Sequence, residues 1–318
     1  MRTFVAAAVV AAGAALTFGC NSSTTTPINP LPAFTHFYTA SNASTPAPQI
    51  WQFALPLSNS SSPTVTMPGN GATNVKSIAF DRFGDMVAVN NQGTGNVYIT
   101  AYAPFVTSAS TPIATITTGF TCCAYVVAVD PGGLVWTCST IGACYQYPGP
   151  YSGSVSPAPS ITLSDLLVRP EGLAWNAAGD LFIANEGTGG NIIRFNHPVT
   201  NGETHSAVLN TGGETIIGLA MDGAGNLYAG SHSLGHLLRF NASNQANGAT
   251  PDFVDTATGS TDIYSLAIDA AGNLYAADLQ NGKILVFPTV ATSFSNTLAP
   301  TVVLTPPSGN PEAAAIGP

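Results

Sequence analysis

The chain has 318 residues, of which 45% are apolar and only 7% are Asp, Glu, Lys or Arg, far below the roughly 25% usual for globular proteins. Seven basic residues against sixteen acidic ones give a net charge of −9, which excludes a basic surface for nucleic acid and an attraction to anionic membranes. The apolar and aromatic content also excludes a disordered chain, because burial can offset the entropy of ordering.

The first twenty residues have the features of an export signal. Arg2 precedes the apolar run of residues 4–18, and Gly19 precedes Cys20. Gly before Cys resembles the bacterial lipoprotein signal, which implies that Cys20 is lipidated; plain secretion is the alternative. We therefore expect a signal peptide over residues 1–20, a flexible polar tether over 21–32, and a protein of the bacterial cell envelope, either lipid-anchored or secreted.

One sequence motif recurs five times in the rest of the chain. It consists of an apolar residue, Ala, a second apolar residue and Asx, followed by any two residues and Gly. The Asx residues are Asp81, Asp130, Asn176, Asp222 and Asp269, with steps of 49, 46, 46 and 47 residues. Asx-x-x-Gly is a turn signal, because the Asx side chain can bond the backbone two residues on and Gly accepts a positive φ. Each period contains four short β-prone runs and no helical periodicity, which favours a propeller blade of four antiparallel strands.

The two ends of the chain predict how the ring of blades closes. Residues 314–317 lie where a sixth inner strand is due, with no further strands after them, and three strand-like runs over 34–40, 50–53 and 64–66 precede the first repeat. One C-terminal strand with three N-terminal strands would complete a sixth blade and leave no open sheet edge. The predicted fold is thus all-β, a six-bladed β-propeller over residues 33–318.

The repeats at residues 171–185 and 265–278 resemble NHL repeats and the SMP-30/gluconolactonase-like six-bladed propellers. This resemblance covers residues 33–318 and implies the same fold. It implies little about activity, because these superfamilies include hydrolases, lyases and binding scaffolds.

The repeat also predicts which residues meet at one mouth of the central channel. If the Ala-containing strand is innermost, the residues just before it and just after the second strand gather there. We take as candidate binding residues Glu171, Asn185, Glu186, His232, Tyr264, Asp278 and Glu312, and place Lys76, Tyr125, Arg169, Ile217 and Asp262 at the same mouth.

The SMP-30 resemblance implies a divalent cation at that mouth. Glu171, Asn185 and Asp278 match the carboxylate and amide ligands of such lactonases, and oxygen ligands suit Ca²⁺ or Mg²⁺. The structural alternative is that Glu171 pairs with Arg169 or Lys76 while Asn185 and Asp278 cap turns. Ca²⁺ or Mg²⁺ is the cofactor that the resemblance suggests, and the sequence alone establishes none.

Histidine chemistry has weaker support in the sequence. Only His232 of the five histidines falls at the predicted mouth, and His236 nearby makes a His232/His236 pair conceivable. The chain contains no Gly-x-Ser-x-Gly, His-Glu-x-x-His or phosphate-binding Gly loop.

Four cysteines, Cys122, Cys123, Cys138 and Cys144, fall in one predicted blade. An even set in an exported chain favours disulfides. A vicinal Cys122–Cys123 bond with a Cys138–Cys144 hairpin bond is one pairing; we favour cross-links from the 122/123 pair to 138 and 144, because a vicinal ring strains its peptide bond. A zinc site is the remaining alternative.

These observations favour an exported, monomeric binding scaffold of unassigned specificity. Its partner would be a small molecule or an envelope protein, with no nucleic acid and with membrane contact only through the lipid anchor. The alternative is a metal-dependent lactonase-like hydrolase or a lyase acting at the channel mouth.

Overall fold

The structure is a computed structural model, which describes residues 32–41, 47–69, 74–91, 97–120, 123–149, 151–187 and 189–318. Its strands form six sheets, and the inner strand of each sheet packs against the inner strands of its two neighbours. The six-bladed β-propeller expected from the repeat is confirmed. The signal peptide, Cys20, nearly all of the tether and Cys122 lie outside the described residues.

The strands of the first half of the chain are β1 (His36–Ala40), β2 (Gln49–Ala54), β3 (Val65–Pro68), β4 (Asn74–Phe80), β5 (Met86–Asn91), β6 (Tyr98–Tyr102), β7 (Ala114–Thr117), β8 (Ala124–Val129), β9 (Val135–Ser139), β10 (Ala143–Tyr147), β11 (Gly153–Val155) and β12 (Ile161–Leu163). Those of the second half are β13 (Pro170–Trp175), β14 (Leu181–Asn185), β15 (Asn191–Phe195), β16 (Ala207–Asn210), β17 (Ile216–Met221), β18 (Leu227–Ser231), β19 (Leu237–Phe240), β20 (Phe253–Asp255), β21 (Ile263–Ile268), β22 (Leu274–Asp278), β23 (Lys283–Phe287), β24 (Val302–Leu304) and β25 (Ala315–Gly317).

Five blades are formed by consecutive stretches of the chain. Blade 1 contains β4–β7, blade 2 contains β8, β9, β10 and β12, blade 3 contains β13–β16, blade 4 contains β17–β20, and blade 5 contains β21–β24. Blade 6 has the order β25-β1-β2-β3, so one C-terminal strand and three N-terminal strands close the ring as expected.

Blade 6 is held together by both ends of the described chain. Strand β25 pairs antiparallel with β1, with Tyr38 opposite Ala315 and Phe37 opposite Ile316. The Tyr38 hydroxyl donates a hydrogen bond of 2.8 Å to the Pro318 carbonyl. The Phe37 ring stacks on Tyr275 of blade 5 at 5.2 Å, so the closing blade is also packed against its neighbour.

The Asx turns join the first and second strands of blades 1 to 5. In each turn the Asx side-chain oxygen accepts a hydrogen bond of 2.8 to 2.9 Å from the backbone N–H four residues on. The Gly three residues after each Asx has a φ between 83° and 90°, a backbone conformation that would be strained in a residue with a side chain. The turn expected from each repeat is therefore present, and the expected bond to the N–H two residues on accompanies it at Asp81, Asp222 and Asp269.

The hydrophobic core lies between adjacent blades. Phe182 and Ile192 of blade 3, for example, share one buried cluster with Leu219, Leu227 and Leu238 of blade 4. Successive side chains of a strand point to opposite faces of the sheet, and because strands such as β14, β18 and β22 are buried along their whole length, the sheet packs against a neighbour on each face.

Two elements were not expected from the repeat. Strand β11 leaves the connection between β10 and β12 and pairs parallel with β7, so blade 1 has a fifth, outermost strand. One helical turn, α1 (Val290–Ser293), lies between β23 and β24. Within the described ranges, no helix has the length and apolar character needed to cross a membrane.

Candidate functional site

A β-bulge recurs at the same place in the inner strand of blades 1 to 5. The pairing register of each inner strand with its second strand shifts there, and the strand gains a residue that its partner does not match. Such a bulge re-aims a side chain away from the regular pleat. The side chains concerned are Lys76, Tyr125, Glu171, Ile217 and Tyr264.

These five residues occupy one repeat position, and blade 6 supplies a sixth. Each lies five residues before the Asx of its blade, and Glu312 lies five residues before Gly317 of β25. Glu312 follows an isolated bridge between Ser41 and Pro311, and its backbone N–H donates to Ala40 O at 2.9 Å. We call Lys76, Tyr125, Glu171, Ile217, Tyr264 and Glu312 the mouth ring.

The mouth ring lies at one end of the central channel. Five of its members line a cavity of about 210 Å³ that extends between the inner strands of the propeller; they are Tyr125, Glu171, Ile217, Tyr264 and Glu312. Blades 2 and 5 face each other across a six-bladed ring. Tyr125 and Tyr264 therefore meet across the axis, with ring centroids 6.4 Å apart in an edge-to-face arrangement.

Lys76 joins the two tyrosines to Glu312. Its Nζ lies 2.5 Å from Glu312 Oε1, and its side chain is 13% exposed against 2% for Glu312. The same ammonium lies 5.0 Å from the Tyr125 ring centroid and 5.8 Å from that of Tyr264. Both distances are within the range of a cation–π interaction.

Tyr264 is a buried member of the mouth ring. It is 6% exposed, and its hydroxyl has no hydrogen-bond partner within the described parts of the chain. Burial raises its pKa well above the usual value, and the Glu312 and Glu171 carboxylates add to the effect. The hydroxyl therefore stays protonated and is able to donate to a ligand.

Glu171 and Glu186 share the guanidinium of Arg169. Arg169 Nη2 lies 3.2 Å from Glu171 Oε1 and 2.8 Å from Glu186 Oε2. Burial, and after it the nearby Glu186, raise the pKa of Glu171 to about 8, and Arg169 opposes the rise. Desolvation outweighs the single cation because Arg169 is half-exposed and divides its charge between two carboxylates.

His232 is paired with Asp262 at the same mouth. Its Nδ1 lies 2.7 Å from Asp262 Oδ1. This hydrogen bond is the main cause that raises the pKa of His232, and the charges of Asp262, Glu186 and Glu171 add to it. His236 pairs instead with Glu214 at 3.0 Å, so each histidine of the conceivable pair has a carboxylate partner of its own.

Asn185 and Asp278 have other partners than the mouth ring. Asn185 Oδ1 accepts from the Val168 N–H, and its Nδ2 donates to Leu166 O and Asn191 Oδ1 at 3.0 and 2.9 Å. Asp278 accepts at 2.8 Å from Asn281 Nδ2. Both side chains hold loops in the way that the structural alternative expected.

The residues fit a bound divalent cation poorly. The cavity that Glu171 lines includes neither Asn185 nor Asp278, and the amide oxygen of Asn185 is already used by the backbone. Among the residues that the structure describes, no group of three or more His, Cys, Asp or Glu side chains could hold a metal ion. The three-residue metal site stays a prediction without geometric support.

The favoured cysteine pairing is wrong for Cys138 and Cys144. These two residues face each other in the β9–β10 hairpin, with Cα atoms 4.0 Å apart, and are joined by a disulfide. Because the two residues lie directly opposite each other on adjacent strands, their sulfur atoms meet within the hairpin and need no partner from the segment before the inner strand. Cys123 is disulfide-bonded as well. The observed bond is thus the hairpin bond of the other pairing considered.

The sequence placed the mouth ring at the channel mouth but did not single it out. Lys76, Tyr125 and Ile217 were not among the candidate binding residues, although they share the repeat position of Glu171, Tyr264 and Glu312. Counting five residues back from each turn Asx selects Lys76, Tyr125 and Ile217 together with Glu171 and Tyr264.

Fold and site define a six-bladed β-propeller whose channel carries a charged and aromatic ring at one end. No family model matches this sequence, and neither does any curated protein.

Solved structures with a similar fold include three that cover most of the chain. A protein of unknown function from Bacteroides caccae has a TM-score of 0.62 at 10% identity, with 89% of this chain and 99% of that one covered. The WD40 β-propeller domain of Doa1 has a TM-score of 0.58 at 11% identity, with 88% of this chain and 82% of that one covered. A putative 6-phosphogluconolactonase from Bacteroides fragilis has a TM-score of 0.58 at 14% identity, with 89% of this chain and 85% of that one covered. At such identities the similarity concerns the fold alone.

Proposed function

We propose that this propeller is a binding scaffold whose ligand site is the mouth ring with Arg169, Glu186 and His232 beside it. The observation that carries the proposal is the β-bulge repeated in blades 1 to 5, which directs one side chain of each of these blades to the mouth that Glu312 of blade 6 completes. A purely structural repeat would be free to place the same small residue at each of the six positions. Here the six positions hold two carboxylates, one ammonium, two phenols and one aliphatic side chain.

The ionic groups of the mouth favour binding over hydrolysis. Lys76 and Arg169 form ion pairs with Glu312 and Glu186, and His232 is hydrogen-bonded to Asp262. Pre-formed pairs of this kind fix the side chains that a ligand would meet, which lowers the ordering cost of binding.

We also propose that the chain works in the bacterial cell envelope and that it is related to the NHL and SMP-30-like propellers. The buried Cys138–Cys144 disulfide supports an oxidising compartment. The repeated Asx-x-x-Gly turns support the relationship. Lipidation at Cys20 and a monomeric state are part of the same proposal.

The alternative, a lactonase-like hydrolase or a lyase, has one observation in its favour. A buried Glu171 with a pKa of about 8 keeps its proton at neutral pH and could act as a general acid. A titration with Ca²⁺ or Mg²⁺ addresses the metal-dependent form, because a bound ion raises the melting temperature by mass action.

The proposal is tested by a thermal-shift screen of the full chain against sugars, lactones and peptidoglycan fragments. Compounds that raise the melting temperature are then titrated into the Tyr125→Ala variant and, as a control, into the Phe83→Ala variant. In the wild type, the exposed ring of Phe83 lies in the turn at the opposite end of blade 1. We expect Tyr125→Ala to weaken binding about tenfold or more, and Phe83→Ala to leave it unchanged. Equal affinities in both variants would place the ligand elsewhere, and turnover of a lactone would favour the hydrolase.

A further inference from the structure

The surroundings of the Lys76 ammonium form a complete site for an organic cation. A carboxylate contacts it at 2.5 Å, and two tyrosine rings lie within 6 Å of it from opposite blades. Two aromatic faces and a carboxylate around one charge are the chemistry with which proteins recognise alkylammonium groups.

The groups around the Lys76 ammonium complement a cation. The ammonium contacts the Glu312 carboxylate and faces two tyrosine rings, whose faces are electron-rich. A ligand ammonium in this place therefore meets complementary charge, whereas an anion does not.

Tyr264 provides a second, independent indication of a ligand. Its hydroxyl is enclosed at the cavity, protonated, and without a partner among the described residues. An enclosed polar group without a partner costs free energy, and the Tyr264 hydroxyl oxygen can recover that cost by accepting a hydrogen bond from an ammonium N–H of the ligand.

We propose that the mouth ring is a receptor for a small ligand with a primary alkylammonium group, which takes the place of the Lys76 ammonium between Tyr125, Tyr264 and Glu312. This inference rests on the proposed function, since it names the ligand class of the same site. Lys76 is then an internal competitor. Its ammonium is carried on a flexible four-carbon stem and can move out to water when a ligand ammonium enters.

The direct test removes the competitor. In Lys76→Met the apolar stem remains while the charge is lost, so Glu312 and the two tyrosines can accept an external cation. The probe is n-butylammonium chloride, with n-butanol as the uncharged control at matched ionic strength, in isothermal titration calorimetry of the full chain. We expect Lys76→Met to bind the probe about tenfold or more tightly than the wild type, because an attached competitor acts at millimolar effective concentration.

The double variant Lys76→Met/Glu312→Gln is the matched control. It lacks both charges, and we expect it to lose the gained affinity. Equal affinity of Lys76→Met and wild type for n-butylammonium would overturn the proposal, and so would binding of n-butanol as tight as that of the cation.

A second pair of variants keeps the test valid if Lys76→Met does not fold. Tyr125 is half-buried, and in the wild-type background Tyr125→Phe retains the aromatic face while Tyr125→Leu removes it. We expect Tyr125→Leu to weaken n-butylammonium binding roughly three- to thirtyfold and Tyr125→Phe to keep it. Equal binding by the two variants contradicts the cation–π site.

The outcomes separate this inference from the proposed function. If n-butylammonium does not bind but a compound of the thermal-shift screen binds and depends on Tyr125, the ligand class is wrong and the scaffold remains. If the screen compounds and the cation both bind independently of Tyr125, the mouth itself is the wrong site.

Discussion

Two side chains at the mouth hold protons more tightly in the folded protein than in the unfolded chain. The pKa of Glu171 is raised by burial to about 8, and that of His232 is raised by its hydrogen bond to Asp262. A raised pKa means that the folded state binds more protons, so both groups make the free energy of unfolding fall as the pH rises. For His232 the stabilisation is complete below its unfolded pKa and is lost as the pH passes the folded pKa.

We therefore expect Glu171→Gln to flatten the pH dependence of stability. Between the usual carboxyl pKa of 4.5 and about 8, the wild type should lose stability that the variant keeps. A shift from 4.5 to about 8 corresponds to about 5 kcal/mol, and the coupling of Glu171 to Glu186 makes the measured difference smaller than this. Urea denaturation across this pH range measures it.

A matched control is Glu203→Gln, which changes a carboxylate in a surface turn with Thr200. It should leave the pH slope of the wild type unchanged. If Glu171→Gln has the same slope as the wild type, Glu171 ionises normally in the folded protein and the account of its burial is wrong.

The bulged inner strands depend on close approach between neighbouring blades. Gly172 follows Glu171 in β13, and a Cβ added to it would lie 2.1 Å from the Ile217 carbonyl oxygen of blade 4. The contact is with backbone, which cannot rotate away as a side chain could. Gly172 therefore permits the approach that sets Glu171 and Ile217 side by side in the mouth ring.

We expect Gly172→Ala to destabilise the protein by about 1 to 3 kcal/mol, the usual cost of overpacking a well-packed contact. Gly223→Ala is the control, because a Cβ there would meet nothing within 4 Å. Chemical denaturation compares the two variants. A loss of stability that is no larger for Gly172→Ala than for Gly223→Ala would show that the blades do not pack this closely.

Local and periodic features of the elements could be predicted from the sequence, and contacts between distant residues could not. The Asx turns and the strands around them recur with the same side-chain chemistry, so the repeat gave their number and order. Strand β11 has three residues with no signal of its own and pairs with a strand of the preceding blade. The Cys138–Cys144 bond likewise follows from the register of one hairpin, which composition does not contain.

The candidate site was predictable to the same extent. The repeat placed Glu171, Tyr264 and Glu312 at one mouth, because equivalent positions of equivalent blades converge. It could not show that Asn185 uses its amide within its own loop, or that Lys76 reaches Glu312 between two tyrosine rings. Those contacts depend on the bulge and on side-chain packing across blades.

The whole propeller depends on the last eight residues of the chain. Strand β25 supplies the inner edge of blade 6 and contacts blade 1 and blade 5. Glu312 in the same segment carries the ion pair with Lys76. Closure of the ring and completion of the mouth are thus provided by one short segment.

A chain that ends at Asn310 should lose cooperative unfolding or aggregate, because Phe37 and Tyr38 lose the strand that covers them. Deletion of Pro318 alone, which removes the 2.8 Å bond from Tyr38, should have a much smaller effect. Thermal unfolding followed by circular dichroism makes the comparison. Retention of the full-length melting temperature by the chain ending at Asn310 would show that blade 6 closes without β25.

The central claim is that the inner strands of different blades direct their bulge side chains to one point on the channel axis. Photo-cross-linking tests this directly, with Tyr125 replaced by p-benzoylphenylalanine and the adducts located by peptide mass spectrometry. Because Tyr264 lies 6.4 Å away across the axis and the Lys76 ammonium 5.0 Å away, we expect adducts in the segments that contain these two residues. Adducts confined to blade 2 would contradict the account, since Tyr125 would then face outward from the mouth.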